Sequence, residues 1–388
     1  MESLAHAFSV AASIAAIAAP AAVGFGVMPR LGPGRAVVLA LTSRFFLRAD
    51  VASARVADVA ALRAMLDTSR RNQYVVVAGP KGVGKTCVVA SATEATCGVV
   101  TVRVPAGTRE KEILADVFTA LTRYYVRALD QSGSARRVLW WHAFLFRVPA
   151  TVVLQAAERK PAQDYADLES AARTIVADYG ARVVIDASNN SLPVAARATL
   201  REQVLDVEPM PRETLEALPE LAPLLAALRA SEMADVVWAS VGGVPAAYLK
   251  LDGAWAAAGR GADVAPVAAA LVEDLLAQAV GNVGDAVAAD ARLPALYALF
   301  GPGGSAAVRY FALRDLGIVR ASPDKVLRAV SRRERAVGGG KGTERVKHVL
   351  VPADAATALA LRFALTEAPA ARELAALLCA DGRQLCGR

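Results

Sequence analysis

Residues 79–86 read Gly79-Pro80-Lys81-Gly82-Val83-Gly84-Lys85-Thr86, and these types at this spacing suit one task, holding a row of phosphates. The glycines at 79, 82 and 84 let the backbone curl until successive N–H groups face phosphate oxygens. A helix opening near Lys85 adds the positive end of its dipole. Lys85 can reach the β- and γ-phosphates as a point charge, and the Thr86 hydroxyl can ligate Mg²⁺. Pro80, Lys81 and Val83 complete the loop, and Cys87 follows on the first turn of the helix. The expected ligand is ATP with Mg²⁺.

A second chemical anchor is Arg182-Val183-Val184-Ile185-Asp186, an apolar run that ends in an acid. A strand beside the phosphate loop that carries such an aspartate at its C-terminal end holds it close to the metal. Asp186 is therefore expected to act with Thr86 at Mg²⁺ and, with Lys85, in catalysis. Asp178 and Asp206 are the alternatives.

Positioning these residues requires a parallel sheet. Tyr74 to Ala78 is a β-branched run leading into the loop, and Thr86 to Ala95 reads as the helix after it. Val51 to Asp67, Glu110 to Leu129 and Ala162 to Tyr179 have helical periodicity. Gly98 to Val104, Arg182 to Asp186 and Val204 to Val207 read as strands. Strands alternating with helices predict an α/β, doubly wound P-loop NTPase sheet. Val138 to Leu154, with Trp140, Trp141, Phe144 and Phe146, reads as a core or lid segment or a second membrane-seeking patch. From Leu215 the chain reads as mostly helical, and Leu293 to Thr366 as two helix-like segments, a basic glycine-rich stretch and the strand-like Val349-Leu350-Val351. The expected division is 1–50 apolar segment, 51–214 nucleotide core, 215–290 helical lid and 291–388 winged-helix-like domain.

With Gly79 to Thr86, Val183 to Asp186 and Val241-Gly242-Gly243-Val244-Pro245-Ala246-Ala247-Tyr248-Leu249 in view, the chain resembles the AAA-like and STAND P-loop ATPases. The likeness is strongest to the archaeal-type group with a C-terminal winged helix, over residues 50 to 366. The resemblance implies that Gly-Gly-Val-Pro is the family's Gly-x-Pro element, with Pro245 near the base. Read by themselves, these residues also make an ordinary helix-start turn. The family usually has a second acid after the Walker B aspartate; here it is Ala187. The family's further strand with a polar sensor residue has little room between Ala187 and Gln203. Either Asn189 or Asn190 substitutes, or that layer is missing. Arg197, Arg201 and Arg212 are candidate arginine fingers.

The 388 residues are 55% hydrophobic and 21% charged, with a formal charge of +7. A folded chain with anionic partners follows from that balance. Cys87, Cys97, Cys379 and Cys386, with His6, His142 and His348, lack the paired spacing of a zinc site and suit a reducing compartment. A helix N-terminus can lower the Cys87 thiol pKa; a small buried residue is the blander reading. Ser3 to Pro29 carries no charged residue, and Arg30, Arg35, Arg44 and Arg48 follow. Residues 7–28 thus fit a membrane anchor, an organellar (mitochondrial) transit peptide, or an Ala-rich helix packed on an intracellular protein.

The sequence supports a slow ATPase or ATP-dependent switch acting on an unidentified protein partner. It also supports a nucleotide-binding scaffold without turnover, because Ala187 removes the usual water-polarising acid. A nucleic-acid module would use Arg328, Arg332, Arg333, Arg335, Lys341, Arg345 and Lys347. Glu334 and Glu344 dilute that run, and no aromatic residue interleaves it. Small-molecule kinases share the loop, but the helical C-terminal region and the Gly-Gly-Val-Pro element argue against that class.

Overall fold

The computed structural model describes residues 55–68, 73–94, 96, 98–122, 131–156, 162–187, 203–289, 308–309, 327–335, 344–352 and 354–367. The apolar segment 1–50, the alternatives Asn189 and Asn190, and the fingers Arg197 and Arg201 lie outside the described residues. So do Lys341 and most of the helix-like region after Leu293.

Helix α1 (Val56–Thr68) precedes β1 (Val75–Ala78), which runs through the glycine-rich loop into α2 (Lys85–Thr93). Then come β2 (Val99–Val104), α3 (Glu110–Thr122), α4 (Gln131–Phe146), β3 (Thr151–Ala156), α5 (Ala162–Tyr179), β4 (Arg182–Asp186) and β5 (Gln203–Asp206). These strands form one five-stranded sheet in the order β2-β3-β4-β1-β5, and every neighbouring pair is parallel.

Both faces of the sheet are covered, as the continuous apolar runs require. Tyr74, Val76 and Ala78 share one core with Val152, Leu154, Val183 and Ile185, packed under Ile113, Val138 and Leu168 of α3, α4 and α5. Val75 and Val77 face the other way with Val153 and Val184, against Leu62 and Leu66 of α1 and Val88 of α2. The period of two along each strand thus sorts β-branched side chains into two cores. This is a doubly wound P-loop NTPase fold.

One expectation divides. Val138 to Leu154 is not one segment, since it holds the larger part of α4 and most of β3, but the core reading stands, with Val138, Leu139, Val152 and Leu154 buried in the main core. Among the described residues no strand lies between β4 and β1, which pair directly. A strand not anticipated from the sequence is β3, upstream of β4, with Gln155 in register with Asp186; the next described strand after Asp186, β5, pairs on the far side of β1. The reason is that β3 looks, in sequence, like a tail of the aromatic helix before it.

Beyond the sheet the chain is mostly helical. Helix α6 (Arg212–Glu216) and a 3₁₀ turn at Pro219–Leu221 lead to α7 (Ala222–Ala230), α8 (Ala234–Val241), α9 (Pro245–Ala258) and α10 (Ala265–Ala289). They share a core of Leu215, Leu221, Leu224, Leu228, Val237, Tyr248, Leu251 and Trp255. Among the described residues, Ala265–Asp285 is long and apolar enough to cross a membrane. Its Ala268 and Val272 are packed in this helical core. Last come β6 (Val308–Arg309), β7 (Leu327–Arg335), β8 (Glu344–Pro352) and α11 (Ala355–Glu367). The three strands pair antiparallel in the order β6-β8-β7, with Val349 to Val351 inside β8.

Candidate functional site: the phosphate loop and its cover

The loop leaves the sheet where β1 ends, and packing there requires glycine. A Cβ on Gly79 would stand 2.4 Å from the Val207 carbonyl oxygen, and Val207 is itself fixed by its N–H donating to Ala78 at 2.7 Å. Gly82 and Gly84 have φ of +76° and +104°, a left-handed region open to glycine without strain. Pro80 and Val83 are buried while Lys81 is exposed. Gly84 caps α2 in that left-handed conformation with no side-chain cap bond, so the helix opens toward the loop with its positive end. The other end of α2 is held from α1: Arg63 donates to the carbonyls of Ser91 at 2.7 Å and Ala92 at 3.3 Å.

Lys85 is 8% exposed. Its Nζ donates to the carbonyls of Gly79 at 3.0 Å and Pro80 at 2.9 Å, so the cation lies folded inside the curl of the loop. Thr86 Oγ1 donates to Asp186 Oδ2 at 2.8 Å across 100 positions of sequence. Asp186 is 7% exposed. Burial pushes its carboxyl above the ordinary range, against the opposing pull of the Thr86 hydrogen bond and the Lys85 charge. A hydroxyl beside a carboxylate that burial disfavours as a bare ion is an oxygen pair suited to a hard divalent cation. The residues therefore fit Mg²⁺. Asp178 is exposed near the end of α5, before β4 begins; Asp206 ends β5 on the other side of β1.

Cys87 is half-buried on the first turn of α2. Burial first, and then the charge of Asp186, pushes its thiol up. Ala187 is buried in the core with its N–H donating to Val77 at 3.0 Å, and it offers no side chain to a water.

The Gly-Gly-Val-Pro element comes down on this loop. The Ala246 N–H donates to the Gly82 carbonyl at 3.2 Å. A Cβ on Gly82 would meet Ala246 Cβ at 2.7 Å and Val244 Cγ1 at 3.2 Å. Pro245 is buried at the first turn of α9. The turn is pinned from the sheet side as well: Met210 N–H donates to Gly243 at 2.7 Å, and a Cβ on Gly243 would overlap the Met210 carbonyl oxygen at 1.8 Å.

Sequence reasoning missed Arg55. Its guanidinium is buried, donates to the Val83 carbonyl at 2.8 Å and pairs with Asp58 at 3.0 Å. The only signal was an arginine three places before an acid at a helix start, and nothing there pointed to Val83. Arg212 pairs within the helical region, bonded to Glu216 and Asp235, each at 2.8 Å, with its guanidinium 5.7 Å from the Trp238 ring centroid.

No model of a known protein family matches the chain, and no curated protein does. Among solved structures, the chain is similar to the Aeropyrum pernix ORC1 protein, solved in complex with DNA, at 17% identity and a TM-score of 0.32. That likeness covers 82% of this chain and 94% of that one. It is also similar to the Aeropyrum pernix ORC2 protein, solved as ADPNP–ADP complexes (13% identity, TM-score 0.37, covering 82% and 95%). A third is Cdc6p from Pyrobaculum aerophilum, at 12% identity and TM-score 0.35, covering 82% and 96%.

Proposed function

We propose that this chain binds Mg-ATP at residues 79–86 and works as an ATP-dependent conformational switch of the AAA-like type, with slow hydrolysis. The observation that carries this reading is the backbone bond from Ala246 to Gly82. The helical region touches the phosphate loop itself, so whatever fills the loop is felt at the start of α9.

Thr86 and Asp186 would hold Mg²⁺, which would supply charge neutralisation at the phosphates. Lys85, now on the carbonyls of Gly79 and Pro80, would turn its ammonium to the β- and γ-phosphates. Gly82 and Gly84 keep the backbone curled for the phosphate oxygens, and Pro245 stands where the nucleotide and the helical region would meet. Ala187 offers no group to take a proton from water, which lowers turnover by about 10²–10⁴ relative to a site with such a group.

That buried, backbone-bonded Ala187 is also the specific support for a second reading, a nucleotide-binding scaffold without turnover. A nucleic-acid role would use β7 and β8, where Arg328, Arg332, Arg333 and Arg335 lie on one strand and Arg345 and Lys347 on its partner. A winged helix built around this sheet is part of that reading. Its sign would be affinity that falls steeply with salt.

The test compares wild type with Lys85→Ala in the full chain, following thermal stability with Mg-ATP and phosphate release in parallel. Stabilisation and phosphate release, both lost in the variant, support the switch with turnover. Stabilisation without phosphate selects the scaffold. Neither effect in the wild type overturns both.

A further inference from the structure

Helix α4 has two unlike faces. Ala135, Val138, Leu139 and His142 are buried in the main core. His142 Nδ1 lies 3.1 Å from the Val148 carbonyl, and its ring closes on Gly98, where a Cβ would stand 2.1 Å from Nε2. This inner face is fully committed to the fold.

The outer face carries large apolar groups in water. Trp140 is 57% exposed, Phe144 49% and Leu145 42%. Trp140 stacks on Phe144 with centroids 5.4 Å apart and planes 8° from parallel. Trp141 stands edge-on to both, at 4.9 and 5.6 Å. Arg147 places its guanidinium 5.5 Å from the Phe144 centroid. Arg136 and Arg137 are exposed one turn before Trp140 and Trp141. From Gln131 to Phe146 there is no Asp or Glu. Single exposed apolar residues are ordinary, but a contiguous cluster of this kind marks a contact surface.

Three features select the partner. Trp and Phe flanked by arginines, with no acid, match the interfacial layer of a bilayer, where indole rings sit at headgroup level and guanidinium groups reach phosphates. Three exposed arginines with no acid on the helix beside them give this face a positive charge that complements an anionic surface rather than a neutral apolar one. The rings also close on one another, Trp140 against Phe144 and Trp141 edge-on to both. They form a compact wedge rather than the open ring faces on which successive nucleic-acid bases stack.

We propose that the outer face of α4 docks this protein on a membrane surface carrying anionic headgroups. Trp140, Phe144 and Leu145 enter the interfacial layer, and Arg136, Arg137 and Arg147 meet lipid phosphates. The inference does not depend on ATP binding. The uncharged run from Ser3 to Pro29 is a second apolar element on the same chain, in keeping with the rule that stable anchoring takes two signals.

The experiment sediments the full chain with vesicles of phosphatidylcholine, with and without phosphatidylserine. It then measures quenching of tryptophan emission by brominated lipid, in wild type and in Trp140→Phe. Phosphatidylserine vesicles should bind more tightly, by about fivefold for each arginine engaged, and salt should weaken that binding. Trp140→Ala with Phe144→Ala should weaken it about tenfold. The deciding readout is quenching, because Ser3 to Pro29 could keep the variant on the vesicle by itself. Lipid quenching that falls in Trp140→Phe supports the proposal. No quenching attributable to Trp140 overturns it, whatever the sedimentation shows. An oligonucleotide that shields Trp140 while vesicles do not would overturn it in favour of a nucleic-acid face. Trp140 already shielded from acrylamide without vesicles would overturn it in favour of cover by the chain itself.

Discussion

The loop end of the sheet and the helical region of residues 212–285 are held together by opposite means. At the loop, backbone meets backbone: Gly79 against Val207, Gly82 against Ala246, and a lysine folded onto two carbonyls. In the helical region, leucines and aromatics pack into a broad core, and the ion pairs are partly or fully exposed. The first arrangement tolerates almost no added atom; the second tolerates repacking at modest cost. The regions meet where Met210 bonds Gly243 and Gly82 bonds Ala246. A change at the loop can thus reach many helices through few backbone contacts.

The largest effect should come from breaking that join. Gly243→Ala puts a methyl inside contact distance of the Met210 carbonyl, nitrogen and carbon at once. Backbone on both sides leaves no flexible side chain to give way, so a loss of about 3 kcal/mol or more is expected. Chemical denaturation would measure it. A loss under about 1 kcal/mol would mean that the turn is loose and the contrast with the helical region false.

Next is Arg55→Met, which keeps most of the stem and removes the bonds to the Val83 carbonyl and to Asp58. The buried carbonyl loses a charged donor, and a loss of about 2 kcal/mol is expected. Denaturation midpoints check it. Equal stability would show that the loop holds its shape without help from α1.

How much of this was legible beforehand depends on distance along the chain. The loop, its flanking strand and helix, and Asp186 were readable because short-range spacing carries them: glycines within a turn, then an acid closing an apolar run. The bounds of α5 and β4 followed from periodicity and from Gly180. Strand β3 was not readable, because its apolar residues Val152 to Leu154 continue the apolar run of the aromatic helix before it, and no acid closes it as Asp186 closes β4. Arg55, 28 positions from Val83, was not readable either, since a contact made by folding leaves no local pattern. The resemblance implied a role for Pro245 near the base, but the bond from Ala246 to Gly82 had no local signal. The alternating residues of the strands say which face is apolar, but not which distant helix covers it.

A third effect should have the opposite sign. Asp186 holds its proton more tightly when folded than its ordinary value of 3.8 allows, because burial disfavours the anion. The folded state therefore binds more protons just above that value. Stability then falls as pH rises from 3.8 to the raised folded pKa, and the deficit persists at neutral pH. Asp186→Asn should raise the stability of the nucleotide-free protein at pH 7. It should also flatten this part of the pH profile and abolish any stabilisation that depends on Mg²⁺. Melting curves across pH, with and without Mg-ATP, check all three. A melting point lowered at pH 7 would mean that the anion is held by partners rather than merely tolerated.

The smallest effect belongs to the exposed cluster of the helical region. Glu216 accepts from Arg212 at 2.8 Å and Arg229 at 2.7 Å, and its carboxyl is held below the ordinary 4.5, first by the Arg212 hydrogen bond. A lowered acid contributes stability that is present above its ordinary value and lost as pH falls through the folded one. Both partners are open to solvent, however, and screened pairs of this kind contribute little. Arg212 also keeps Asp235 and the Trp238 ring after the change. Glu216→Gln should therefore leave the melting point at pH 7 unaltered within error, with any difference from wild type shrinking as acid protonates the native carboxyl. A clear loss at pH 7 would show that the cluster acts as a rigid network. The helical region would then share the intolerance of the loop it covers.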